Sequence, residues 1–176
     1  MRGTRLGSAH FRELVVFDDR LQNQSKRDRF DGLRKKLLER FPAKSHAGVF
    51  IVRGGSGKAR VLHNERELAE HLRVTRGFRV VDVNVNSPEE IISACAGAQT
   101  MVGVEGSHVF HAFMIMQPGT STLMIQPPDR FSPVIKRTTD RDDQNYGFVV
   151  AHPEVGGGYR VDITEVERTL DLFPKM

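Results

Sequence analysis

Residues 102–111, VGVEGSHVFH, gather a carboxylate, a hydroxyl and two imidazoles around one glycine turn. An apolar strand that runs into such a turn and then into a helix presents backbone amides above the sheet edge. Gly106 permits backbone angles that other residues resist, and Ser107 can cap the following helix or donate to a phosphate. Glu105 or His108 is a candidate general acid or base, because either group can hold a hydroxyl or a diphosphate oxygen at the sheet edge. Glu105, His108 and His111 also fall at spacings of three, which on a helix puts them on one face where they could ligate a metal. No HExxH accompanies them and the residues between are apolar, so no metal site is expected. A metal-dependent hydrolase built on these three residues stands as an alternative.

A second constellation is RGGSGKARVLHNE, residues 53–65. Its GGSGK resembles a P-loop, but Val52 stands where the first glycine belongs and Ala59 where the magnesium-binding hydroxyl belongs, so the motif is broken at both ends. What remains is Arg53 and Arg60 on either side of a glycine loop. Arginine forks match phosphate oxygens bidentately, and two of them beside a loop suit a diphosphate. Asn64 and Glu65 read first as a helix cap and a first-turn acid favoured by the helix dipole.

These groups need elements to position them. GVFIV (48–52) is a continuous apolar run, as expected of a strand buried on both faces. Asn64 with Glu67 forms a capping-box pattern, Leu68 and Leu72 the inner stripe of the helix, and Gly77 its stop. A strand at 78–85 follows, then Ser87-Pro88 with Glu90 opens a helix over 88–98. The strand TMVGV leads through Glu105-Gly106-Ser107 into a helical HVFHAFMIM, Pro118-Gly119 ends it, and STLMI returns as a strand. Three strand–helix–strand repeats predict an α/β fold, a Rossmann-like parallel sheet with helices on both faces. Ligands bind such sheets beyond the carboxyl ends of the strands, where the 53–60 and 105–108 loops both lie. The tail adds a strand (YGFVVAH), a glycine-rich turn, and a closing helix started by Asp162 or Thr164.

The first 47 residues read as a basic helical segment or linker, with ELVVF as one strand, and residues 48–176 as the ligand-binding domain. In KRDRFDGLRKKLLERF, Ser25 is the expected cap, and Phe30, Leu33, Leu37, Leu38 and Phe41 recur at helical spacing. Its charges form a solvated face, not a nucleic-acid stripe, because no recognition pattern accompanies them. The net charge of +4 favours anionic partners in general. No apolar run reaches the length of a membrane span, and no secretory leader opens the chain. One cysteine, Cys95 in IISACAGA, reads as a buried small hydrophobe in a reducing, cytoplasmic setting.

Taken in order, FIVR ending at Arg53, Arg60 followed by Asn64-Glu65, Gly77-Phe78, Ser87, Val102-Gly103, Gly106 and Pro118-Gly119 resemble glycosyltransferase family 61. That group includes extracellular O-linked N-acetylglucosamine transferase, plant xylan-decorating transferases and bacterial proteins of the capsular polysaccharide biosynthesis type. The resemblance covers about residues 45–172. It implies the donor-binding C-terminal half of a GT-B enzyme, which takes a nucleotide-sugar as substrate and transfers the sugar with inversion to a glycan or other acceptor hydroxyl, with no required cofactor. By the resemblance, Arg53, Arg60 and the amides around Gly106 and Ser107 hold the diphosphate, and Asn64 and Glu65 shape the pocket or contact the sugar. His108 stands near the anomeric oxygen, with His111 in the donor-binding set. This chain departs from the family pattern at Glu105 (for His), Ser107 (for Ala), His111 (for Asn) and Met124 (for an acid). The alternative within the same fold is a non-catalytic module that binds a nucleotide or sugar phosphate. An N-terminal domain outside this chain, or a second copy of it, would complete a GT-B enzyme.

Overall fold

The computed structural model describes residues 10–15, 20–54 and 61–174. Residues 55–60, which hold Lys58 and Arg60, and residues 16–17 of ELVVF lie outside the described residues. Helix α1 (Gln24–Arg40) precedes strand β1 (His46–Val52), helix α2 (Glu65–Arg76) and strand β2 (Arg79–Asp82). Helix α3 (Pro88–Cys95) and strand β3 (Ala98–Val104) follow. A 3₁₀ turn at Ser107–Val109 then leads into the one-turn helix α4 (Phe110–Phe113) and strand β4 (Ser121–Gln126). The chain continues through α5 (Val134–Arg141), β5 (Asn145–Val150), the small hairpin β6 (His152–Pro153) and β7 (Tyr159–Arg160), and α6 (Ile163–Leu170).

Five strands form one all-parallel sheet in the order β2-β1-β3-β4-β5. This is the flavodoxin-like, doubly wound order, and the direction of winding reverses between β1 and β3. Alternate side chains of each strand feed two cores. Phe50, Val52, Val102, Val104, Leu123 and Ile125 face α2 and α6, through Leu68, Leu72, Val166 and Leu170. Val49, Ile51, Met101 and Met124 face the other way, toward Ile91 of α3, Phe113 of α4 and Ile135 of α5. Leu37, Leu38 and Phe41, at the end of α1, pack on this second core. Arg34 of α1 is buried, paired with Asp31 and, at 3.5 Å, with the fully buried Asp142.

The capping box of Ser87 and Glu90 forms as predicted, with the two side chains exchanging bonds with each other's amides at 2.7 and 3.3 Å. Gly77 closes α2 in the left-handed region at φ 67°. Four local expectations differ. Helix α1 is capped by Asn23, which accepts from the Lys26 amide at 3.0 Å, not by Ser25. Asn64 precedes α2 without a side-chain cap, because its carboxamide is committed elsewhere. The strand expected at 78–85 stops at Asp82, where Asp82, Asn84 and Asn86 bond to one another's backbones and compete with the ladder. The helix expected from His108 shrinks to a 3₁₀ turn and one α-turn. Val109, Ala112, Phe113, Ile115 and Met116 are all buried, while Phe110, His111 and Met114 are half-buried.

Candidate active site

The carboxyl ends of β1 and β3 stand side by side at the point where the sheet reverses. Arg53 follows β1, and Glu105, Gly106, Ser107 and His108 follow β3. With Phe110, with Arg130 and Ser132 from the β4–α5 connection, and with Val134 and Ile135 at the start of α5, they line a cavity of about 350 Å³. This volume falls in the small-ligand range, and its position is where doubly wound sheets bind ligands.

The backbone of Arg53 is held from two sides. Its amide donates to Glu65 Oε1 at 2.7 Å and that of Gly54 to Oε2 at 2.9 Å. Its carbonyl accepts from Asn84 Nδ2 at 3.1 Å. One carboxylate at the start of α2 therefore fixes the end of β1. Burial pushes the Glu65 carboxyl above its ordinary range, against the pull of the two amide donors. Asn64, also buried, clasps Val161 in both directions, Nδ2 donating to its carbonyl at 2.9 Å and Oδ1 accepting its amide at 3.1 Å. Neither side chain lines the cavity. Glu65 holds the backbone at Arg53 and Gly54, and Asn64 ties the start of α2 to Val161.

On the β3 side, Glu105 is buried and its amide donates to Ile125 O at 2.9 Å, which continues the ladder one residue past the strand. Two glycines let the following turn fold back tightly. A Cβ on Gly106 would lie 3.0 Å from His108 Nδ1 and 3.8 Å from Arg53 Nε, and one on Gly103 would lie 2.9 Å from the Val109 side chain. The His108 ring thus packs on the Gly106 backbone, with the Arg53 guanidinium close by. Ser107 is exposed at the rim. His111 turns to its own backbone instead: Nδ1 lies 2.9 Å from His108 O, so Nδ1 carries a proton and donates. His111 does not line the cavity. Among the described residues, no group of three or more His, Cys, Asp or Glu side chains is placed to hold a metal ion, so Glu105, His108 and His111 do not form the ligand set of the hydrolase alternative.

The opposite wall is the part that the sequence reading missed. Gln126, the buried last residue of β4, donates to Ser132 O at 3.3 Å and to the Tyr146 hydroxyl at 3.2 Å, and accepts from the Ser132 amide at 3.4 Å. These bonds shape the loop that brings Arg130 and Ser132 to the cavity. Burial raises the Tyr146 hydroxyl above its usual range, Gln126 opposing the shift and the Glu105 charge adding to it. The signal was available: Pro-Pro-Asp-Arg-Phe-Ser follows a strand on the same sheet edge as the two loops singled out. Cys95, by contrast, is fully buried in the second core, and its thiol is pushed up to about 12.

No helix among the described residues is long and apolar enough to cross a membrane. Among solved structures, the chain is similar to a flavodoxin-like domain from a Synechococcus sp. protein, with 13% identity and a TM-score of 0.47 over 70% of this chain and 93% of that one. It is also similar to 2R,3R-butanediol dehydrogenase from Bacillus subtilis, with 14% identity and a TM-score of 0.35 over 82% of this chain and 44% of that one. No curated protein matches it. The family model for glycosyltransferase 61 matches residues 7–123, from ahead of α1 into β4 and across both Arg53 and the Glu105–His108 turn. The chain belongs to the glycosyltransferase 61 family.

Proposed function

We propose that this chain is the donor-binding part of an inverting glycosyltransferase, related to the C-terminal half of a GT-B enzyme, and that it holds the diphosphate of a nucleotide-sugar in the cavity between β1, β3 and α5. The observation that carries the reading is the meeting of Arg53 and Arg130 in one cavity at the reversal point of the sheet. In the reaction, an acceptor hydroxyl oxygen bonds to the anomeric carbon while the bond from that carbon to the phosphate oxygen breaks. The electron pair leaves with the nucleoside diphosphate, and the hydroxyl proton goes to a base. Two guanidinium groups stabilise the charge that grows on the departing diphosphate. In this reading His108, beside Arg53, meets the bridging oxygen. Glu105 would repel a diphosphate, so in this reading it faces the sugar or takes the acceptor proton. A GT-B partner domain and a cytoplasmic setting belong to the same proposal, the latter in keeping with the buried thiol of Cys95.

The test is a titration of the chain with a panel of nucleotide-sugars and their nucleoside diphosphates, followed by thermal unfolding. A binder raises the midpoint according to ln(1 + [L]/Kd), and Arg53→Ala and Arg130→Ala should each abolish the shift. Absence of a shift with every member of the panel refutes the assignment. Glu105 gives the second reading its weight: with that carboxylate facing the phosphates, the same cavity is occupied without turnover. Release of free sugar from a bound donor, measured over hours, separates the two.

A further inference from the structure

The parallel sheet has two edges, and they are unlike. β2, at one edge, has four residues, carries Arg79 and Asp82 at its ends, and runs into the polar turn of Asn84 and Asn86. Short length and charge are how proteins keep an edge from pairing with another chain. β5, at the other edge, has six residues, and its sequence NYGFVV holds no charge and no proline. The amides of Asn145 and Ala151 donate toward β4, to Thr120 O and Gln126 O, at 2.9 Å each. Backbone groups alternate along a strand, so those of Tyr146, Phe148 and Val150 point away from β4. Among the described residues, these outward backbone groups meet no hydrogen-bonding partner. The side chains of the same three residues share the face on which Tyr146 packs against the second core. Phe148 is 45% exposed and Val150 42%. Phe131, 54% exposed, stands edge-on to the Phe148 ring with centroids 5.1 Å apart. An unpaired ladder and an apolar patch thus lie side by side.

We infer that β5 pairs antiparallel with β5 of a second copy of this chain, across a two-fold axis at Phe148. The axis sets Phe148 opposite the partner's Phe148 and Tyr146 opposite the partner's Val150, so aromatic and β-branched side chains meet across the joint. The outward backbone groups of all three residues then find partners. Charge selects the occupant. In a two-fold pair the residue at the centre faces itself, so a charge there would meet its like, and NYGFVV carries none. A different protein is selected by charges of the opposite sign, and this strand displays none to match. The assembly closes at two, because the edges left over are both the blunted β2. Phe131 lies between Arg130 and Ser132 of the cavity wall, so the second copy braces the loop that carries both. None of this depends on what the cavity binds.

Sedimentation of the 176-residue chain over a concentration series should show monomer and dimer in exchange, with nothing larger. Phe148→Glu sets like charges face to face and should weaken association about a hundredfold or more. Phe148→Lys should do the same. A mixture of these two variants should associate again, because a two-fold axis through residue 148 opposes their charges. Amide exchange reads the ladder itself. The Phe148 and Val150 amides should exchange slowly in the wild-type dimer and fast in Phe148→Glu. Those of Gly147 and Val149, on the β4 side, should stay slow in both, which also shows that the variant is folded. If Phe148→Glu fails to fold, Val150→Lys, also on the exposed face, should weaken the dimer in its place. A wild type that stays monomeric at every concentration overturns the inference, as does a dimer that these substitutions leave intact. Open-ended assemblies, or a mixture of the two charged variants that stays monomeric, overturn the two-fold pairing as well.

Discussion

The carboxylate of Glu65 accepts the backbone amide of Arg53 at 2.7 Å, so the first residue of α2 holds the residue that follows β1. A second bond, from the Gly54 amide at 2.9 Å, makes the grip two-handed. Arg53 therefore reaches the cavity from a backbone fixed by another residue's side chain. Glu65→Ala leaves two amide donors without their partner, at roughly 1–3 kcal/mol for each one that stays buried. Donor affinity should fall as well, although Glu65 does not line the cavity. Denaturant unfolding and ligand titration on the same variant check both; unchanged affinity in a destabilised protein would show that Arg53 does not need this support.

Glu65 also makes stability depend on pH in a defined direction. Its folded carboxyl titrates above the ordinary value of 4.5. Between that value and the raised one, the folded state binds more protons than the unfolded state, so stability falls as pH rises through the window. Glu65→Gln does not titrate. The stability of wild type relative to Glu65→Gln should thus increase as pH is lowered toward 4.5 and level off below it. Urea unfolding of the pair at half-unit pH steps gives the curve.

Asn64 is a cross-link between distant segments. Its two bonds to Val161 tie the start of α2 to the chain leading into α6. Asn64→Ala should cost roughly 1–3 kcal/mol for each Val161 group left buried and unpaired. Asn64→Asp keeps the acceptor but loses the donor and buries a charge, so it should unfold at lower denaturant than wild type. A midpoint equal to that of wild type in either variant would contradict this role.

Helix α1 is fastened by charge. Arg34 reaches Asp142 at 3.5 Å, while Arg141 already forks onto the same carboxylate. Removing one partner of a buried pair costs roughly 3–5 kcal/mol when the other is left alone, and Arg141 should hold the loss from Arg34→Ala below that range. Asp142→Ala takes the carboxylate from buried Arg141 and leaves Arg34 with Asp31 alone, and it should be the worse of the two. Comparing their unfolding midpoints tests the ranking.

The sheet was the most legible part of the sequence because its signals are local. GVFIV and TMVGV are apolar on both faces, as a parallel strand must be, and Ser87-Pro88 with Glu90 states a helix start in four residues. Arg53 and the Glu105–His108 turn could be placed at one edge because strand succession alone fixes which loops share it. Helix α5 was not legible. Its VIKRTTDR carries four β-branched residues, which lower helix propensity, and proline-rich PPDRFSP precedes it. The burial of Ile135, Thr138 and Thr139 decides for helix, and no short-range pattern records that burial. Arg130 and Ser132 were lost with it. Asn64 failed for another reason: a cap and a long-range clasp ask for the same residue type, and only Val161, 97 positions away, tells them apart.

The position of β1 bears on how the chain acquires its shape. Among the described residues it is the first strand in the sequence, yet it lies inside the sheet, between β2 and β3. It cannot be paired on both sides until residues up to Val104 are available, and parallel ladders of this kind close slowly because the loop entropy is spent before contacts repay it. The register that joins Ile51 to Gly103 is the same one that brings Arg53 beside Glu105. Sealing the central ladder therefore sets one wall of the cleft, Arg53 beside Glu105, and the wall that carries Arg130 and Ser132 can join it only after β4 has paired with β3.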